Sequence, residues 1–238
     1  MLSYIISYMT GGTDIVSFAT MLCVMAFVTI CCLPVHESAH AWVADKLGDS
    51  TGRLSGRISL SPFDHLSLPG TLMLVLFGFG YAKPVPVNIR NFKKRKLYMG
   101  LTALAGPVSN LILAIIFITV AVIVGLFSTS DSYNSVSAVD IAVKFFINVG
   151  YYNIALAVFN LIPFPPLDGS RILTMILPDK LYYRIMGYER YLFYALFALI
   201  FLFNRLGFSP VGSVTSFIFE FLGSVISLVV TSIFGLFM

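Results

Sequence analysis

Apolar residues run almost unbroken from Ile15 to Val35, and the pattern turns amphipathic only on the way to Leu47. A helix needs about 20 apolar residues to cross a bilayer, so this run predicts a first spanning helix. Comparable runs predict further spans at Leu97–Phe127, Val139–Ile162, Tyr191–Phe203 and from Val211 to the C-terminus. The stretch LPGTLMLVLFGFGYA at 68–82 is too short to cross comfortably and too rich in glycine for a regular helix. It predicts a re-entrant or short extended segment. The expected fold is an all-α polytopic membrane protein with about five to six transmembrane segments, residues 1–238 forming a single integral membrane domain.

Composition supports this pattern. Hydrophobic residues make up 58% of the chain and charged residues 11%, and the mean hydropathy is +0.91. No internal repeat or long hydrophilic block predicts a separate soluble domain. The N-terminus has no basic segment before its apolar run and is not expected to act as a cleavable signal peptide. Cys23, Cys31 and Cys32 all fall in the first apolar run, where neighbours on a helix point apart, so no disulfide framework follows.

Charge adds an orientation. Lys46, Arg53 and Arg57 follow the first predicted span, and Lys83, Arg90, Lys93, Lys94, Arg95 and Lys96 precede the second. Arg171, Lys180, Arg184 and Arg190 follow the third, whereas STSDSYNSVS after Phe127 carries no Lys or Arg. This alternation predicts that the first and third spans both end at the cytosol. Lys93 to Lys96 are expected to meet anionic lipid headgroups. The net charge of +4 thus reflects membrane topology, and nucleic-acid binding is not indicated.

Candidate chemistry lies where the first span should end, in HESAH at 36–40. On a helix His36 and His40 are one turn apart and share a face, so both rings can hold one metal ion, with Glu37 beside them. This is the HExxH arrangement of zinc hydrolases, in which the metal acidifies a water molecule and the glutamate takes its proton. A catalytic zinc usually has three protein ligands and one open position. Asp168, in NLIPFPPLDGSRIL, is the candidate third ligand, because it follows the third span on the same membrane face. His65 and Cys32 are its rivals. Cys32 shares the histidine face but lies about 12 Å along the axis from His40. His65 sits in the polar stretch SPFDHLSLPGT, where it can orient a ligand, bind substrate or be solvated. Pro34 removes a backbone donor and either bends the helix just before the site or is a tolerated membrane proline.

From HESAHAWVADKLGD through GRISLSPFDH, FGFGYAKPVPVNIRNF and ALAGPVSN to FNLIPFPPLDGSRIL, the chain resembles the site-2 proteases. These are intramembrane zinc metalloproteases, and the resemblance is to their minimal prokaryotic form, without a PDZ-like insertion or a nucleotide-sensing domain. It implies His36, His40 and Asp168 as ligands of one Zn²⁺ per chain, Glu37 as general base and Asn160 as a hydrogen-bond donor to the oxyanion or the substrate. The expected substrate is a transmembrane segment of another membrane protein, such as an anti-sigma factor or other signalling protein, in a prokaryotic plasma membrane. GFGYAKPVPVN reads either as an edge strand for an unwound substrate or as an ordinary Pro-rich loop; in the first reading Gly78, Gly80, Tyr81 and Lys83, together with His65, are substrate contacts. The chain departs from the family at Ser61-Pro62 and at His65-Leu66-Ser67-Leu68, where Asn-Pro and His-x-Asp-Pro are usual. Gly106-Pro107 and Asn110 are expected to allow close helix packing beside the site. Two other readings stay open: a pseudoprotease that binds transmembrane helices without cutting, and a metal-binding transporter.

Overall fold

The computed structural model describes residues 12, 14–67, 70, 82–127, 137–207 and 209–235. Helix α1 (Ile15–Phe27) starts at Asp14, whose carboxylate accepts the Ser17 N–H at 2.8 Å. It passes through a π-helical turn, Val28–Cys32, straight into α2 (Leu33–Lys46). The wide turn falls immediately before Pro34, where a backbone N–H is missing, and the helix continues as one span from Ile15 to Lys46.

Three more helices are long and apolar enough to cross a membrane: α5 (Arg95–Leu126), α6 (Ala138–Asn160) and α10 (Pro210–Gly235). Among the described residues there are thus four such helices, against an expectation of about five to six. The difference arises partly at Tyr191–Phe203. That run forms α9 (Glu189–Arg205), whose 17 residues reach about 25 Å at 1.5 Å per residue, less than a ~30 Å hydrocarbon core. Short helices occupy the connections: α3 (Thr51–Leu54), α4 (Pro62–His65), α7 (Asp168–Ile172) and α8 (Asp179–Met186). The segment expected to be re-entrant, 68–82, lies outside the described residues except for Gly70 and Ala82. An antiparallel bridge pairs Leu66 with Ala82.

Helix α5 is the hub and packs against α2, α6, α7 and α10. Small residues let α5 and α6 approach closely: a Cβ on Gly150 would come within 2.7 Å of the Ile118 side chain. Val24, Val28, Cys32 and Val149 form one core cluster, backed by Phe27, whose ring meets Phe117 and Phe145 edge-on at 5.5 Å. Ser137 and Asp140 cap the start of α6 reciprocally, each side chain accepting the other's backbone N–H.

At the far end of α2, Ala44 packs with Phe92 and Met99. Buried Asp49 ties the chain after α2 to the turn at Ile89–Asn91. Its carboxylate accepts the Asn88 N–H and the Asn91 side-chain N–H, both at 2.7 Å, and the Thr51 hydroxyl at 2.5 Å. Burial alone would raise its pKa, but these donors outweigh burial and hold the group below the usual carboxylate range.

Candidate metal centre

Helices α2 and α5 run antiparallel, and each contributes a ladder of residues four apart. His36 and His40 on α2 face Asn110, Gly106 and Thr102 on α5. Both histidines are buried, as are all three residues opposite. His40 donates its Nδ1–H to the Thr102 carbonyl at 2.8 Å, which leaves Nε2 bare. His36 Nδ1 lies 3.1 Å from the Asn110 amide nitrogen, while Asn110 Oδ1 is buried without a partner. A half-turn of that amide presents Oδ1 to an Nδ1–H, satisfies the orphaned oxygen and leaves His36 Nε2 bare as well.

The third corner comes from α7. After α6 ends, the segment to Leu167 turns back so that Asp168 opens α7 beside the histidines. Gly169 makes this return possible, because a Cβ there would run into the carbonyl oxygens of Leu161 and Ile162. Asp168 Oδ2 lies 3.3 Å from Nε2 of both His36 and His40, and the two Nε2 atoms are 3.1 Å apart.

This donor set fits a zinc ion. With both Nδ1 protons committed outward, two imidazole lone pairs and a carboxylate oxygen converge with no proton to share, and Asp168 Oδ2 is buried without a hydrogen bond. A cation removes the repulsion. A tetrahedral site with ligands at about 2.0–2.1 Å has edges of about 3.3–3.4 Å, close to the observed triangle. Gly106 keeps the hollow open: a Cβ there would collide with His40 Nε2 and lie 2.6 Å from His36 Nε2. Among the described residues, His36, His40 and Asp168 are the one group of metal-binding side chains clustered in this way.

The other expected residues fall in different places. Glu37 is half-buried, has no hydrogen bond or ion pair among the described residues, and acts electrostatically on His40. Asn160 ends α6, half-buried and likewise without a hydrogen bond among the described residues. Cys32 is turned away from the cluster, its sulfur accepting from Asn153 Nδ2 at 3.4 Å. His65 is fully buried, so it is not solvated; its Nε2–H donates to the Ser59 carbonyl at 2.8 Å. Lys83 is exposed and leads into an extended segment, 83–88. Gly78, Gly80 and Tyr81 lie outside the described residues. The sequence reading missed the direct roles of Asn110 and Thr102. Their signal was polar residues at a spacing of four around Gly106 in an apolar span.

The profile of Peptidase family M50 matches residues 24–203, a stretch that contains all three corners of the triangle. The chain is 41% identical over 157 residues to YwhC of Bacillus subtilis, covering 66% of this chain and 70% of that protein, whose name gives it provisionally as a zinc metalloprotease. It is 29% identical over 143 residues to Rip2 of Mycolicibacterium smegmatis, similarly named, covering 58% of this chain and 51% of that protein. No solved structure matches the chain.

Proposed function

Because this chain belongs to peptidase family M50, the site-2 protease family, we propose that it is a zinc metalloprotease hydrolysing peptide bonds in or near transmembrane segments of other membrane proteins. It is an integral membrane protein, with four apolar helices of spanning length among its described residues. The observation that carries the reading is the buried meeting of His36, His40 and Asp168, three bare ligand atoms in a triangle that suits zinc.

In this reading one Zn²⁺ per chain is held by His36, His40 and Asp168. When bound, zinc supplies Lewis acidity to water and to the peptide carbonyl. Glu37, a carboxylate with no competing partner, takes the proton of the attacking water and returns it to the leaving amine. Asn160 donates to the oxygen that gains charge as the carbonyl is attacked. Thr102 and Asn110 hold the two imidazoles in the tautomer that leaves Nε2 free. A substrate lies extended along 83–88, where Val85 and Val87 have main-chain groups unpaired among the described residues and Pro84 and Pro86 carry no N–H. In this reading the site faces the cytosol, which the basic residues flanking α2, α5 and α6 support. Anti-sigma factors and other signalling proteins with a single span are the substrate class proposed.

The test is zinc content together with cleavage of a panel of transmembrane substrates by wild type and Glu37→Gln. Zinc in both proteins with cleavage by wild type alone supports the reading. Zinc-loaded wild type that cuts nothing, or equal cleavage by both, overturns it.

A further inference from the structure

His65 stands outside the metal triangle, yet it is among the most deeply buried side chains of the described chain. It sits where a non-helical arm, residues 57–61 and the short helix α4, folds back along the spanning helix. α4 packs against both α2 and the π turn at Val28–Cys32. Irregular backbone at that depth needs internal partners for its N–H and C=O groups. Ser38, the residue after Glu37 in HESAH, supplies them. Its hydroxyl donates to the Ser59 carbonyl and accepts the Ser59 N–H at 3.2 Å, so one side chain acts as a strand partner would.

His65 completes this junction from both of its ends. Its ring Nε2–H donates to the same Ser59 carbonyl at 2.8 Å, and its main-chain carbonyl accepts the Lys83 N–H at 2.7 Å. The adjoining Leu66–Ala82 bridge extends the pairing. Beyond Lys83 the extended segment passes the short helix α3: Val85 comes close to Gly52, which in turn lies against Ala41, the residue after His40. One residue thus links the metal-bearing helix, by its side chain through Ser59 and Ser38, to the start of the extended segment, by its main-chain carbonyl.

We propose that His65 is a positioning residue, which fixes the 57–66 arm against the metal-bearing helix and thereby places the extended segment at 83–88 where a substrate backbone lies. The metal ligands keep their own supports on α5 and do not depend on it. The role in substrate placement rests on the protease reading; the structural link does not.

The test uses the full chain in lipid nanodiscs with three variants. His65→Leu fills the space without a donor. His65→Gln can place an amide N–H near the position of Nε2, and the shorter His65→Asn cannot. Losing a hydrogen bond of this kind is expected to change an equilibrium by about tenfold. His65→Leu and His65→Asn should therefore retain zinc, exchange the Lys83 amide about tenfold faster, and raise KM by about tenfold with kcat nearly unchanged. His65→Gln should restore both readouts. Unchanged exchange in His65→Leu and His65→Asn, loss of zinc in His65→Asn, or failure of His65→Gln to rescue would each overturn the proposal. If His65→Leu does not fold, the Gln and Asn pair decides. If wild type cuts no substrate, the protease reading fails while hydrogen exchange still decides the link.

Discussion

Asn110, in the middle of α5, stands 3.1 Å from His36 Nδ1 on α2, and its own Oδ1 has no other partner. A spanning helix carries a buried amide there because an imidazole that binds zinc through Nε2 must place its other proton somewhere. Asn110→Ala should lower zinc affinity by about 10–100-fold, the usual effect of losing the group behind a histidine ligand. Asn110→Asp keeps an acceptor and should stay nearer to wild type. Competition with a chelator of known affinity measures both, and unchanged affinity in Asn110→Ala would sink the role.

Gly106→Ala would put a methyl group where both Nε2 atoms converge. Overpacking typically costs about 1–3 kcal/mol, and here it falls on ligand geometry. The variant should retain its helical circular dichroism and purify with only a small fraction of the wild-type zinc. Full zinc occupancy would mean that the hollow beside Gly106 is not the metal position.

Cys32 is paired with Asn153 and has no place in the triangle. Cys32→Ala should therefore hold as much zinc as wild type and cleave as well, with a stability loss of about 1 kcal/mol or less for so small a cavity. A drop in zinc would restore Cys32 as a ligand.

Asp49 carries the pH dependence that can be assigned. Its folded-state pKa is depressed, chiefly because donors from Thr51, Asn88 and Asn91 outweigh burial. Its contribution is therefore present above the unfolded value, about 3.9, and is lost as pH falls through the lower folded value. Thermal unfolding of wild type should weaken below pH ~4. Asp49→Ala should be destabilised at pH 7 by about 1–3 kcal/mol for the hydrogen bonds lost to Thr51, Asn88 and Asn91, with less further loss in acid. Parallel acid profiles for the two proteins would refute the assignment.

The triangle was legible because its parts obey local rules. His36 and His40 share a face by helical period alone, and the alternation of basic loops brought Asp168 to the same end of the molecule. Glycines gave no such signal in advance. Gly106 read as an ordinary packing residue and Gly169 drew no reading until the imidazoles and the carbonyls of Leu161 and Ile162 appeared opposite them, because close approach between distant segments has no periodicity. The burial of His65 was not legible for a related reason: its neighbourhood in sequence is polar, whereas the arm folds back and buries the ring against Ser38. Among the described residues α9 is apolar but shorter than the four spanning helices, 17 residues against 23 or more.

The π turn at Val28–Cys32 also constrains the chain by length. A turn bonded i to i+5 takes up one residue more than an α-turn, and the surplus is absorbed inside Val28–Cys32. Val24 and Val28 thereby keep their places against Val149 while His36 and His40 keep theirs against α5. Removing one residue within the turn should let it close as an ordinary α-turn with both halves of the span still in phase. The same deletion elsewhere in the span would rotate one half by about 100° relative to the other.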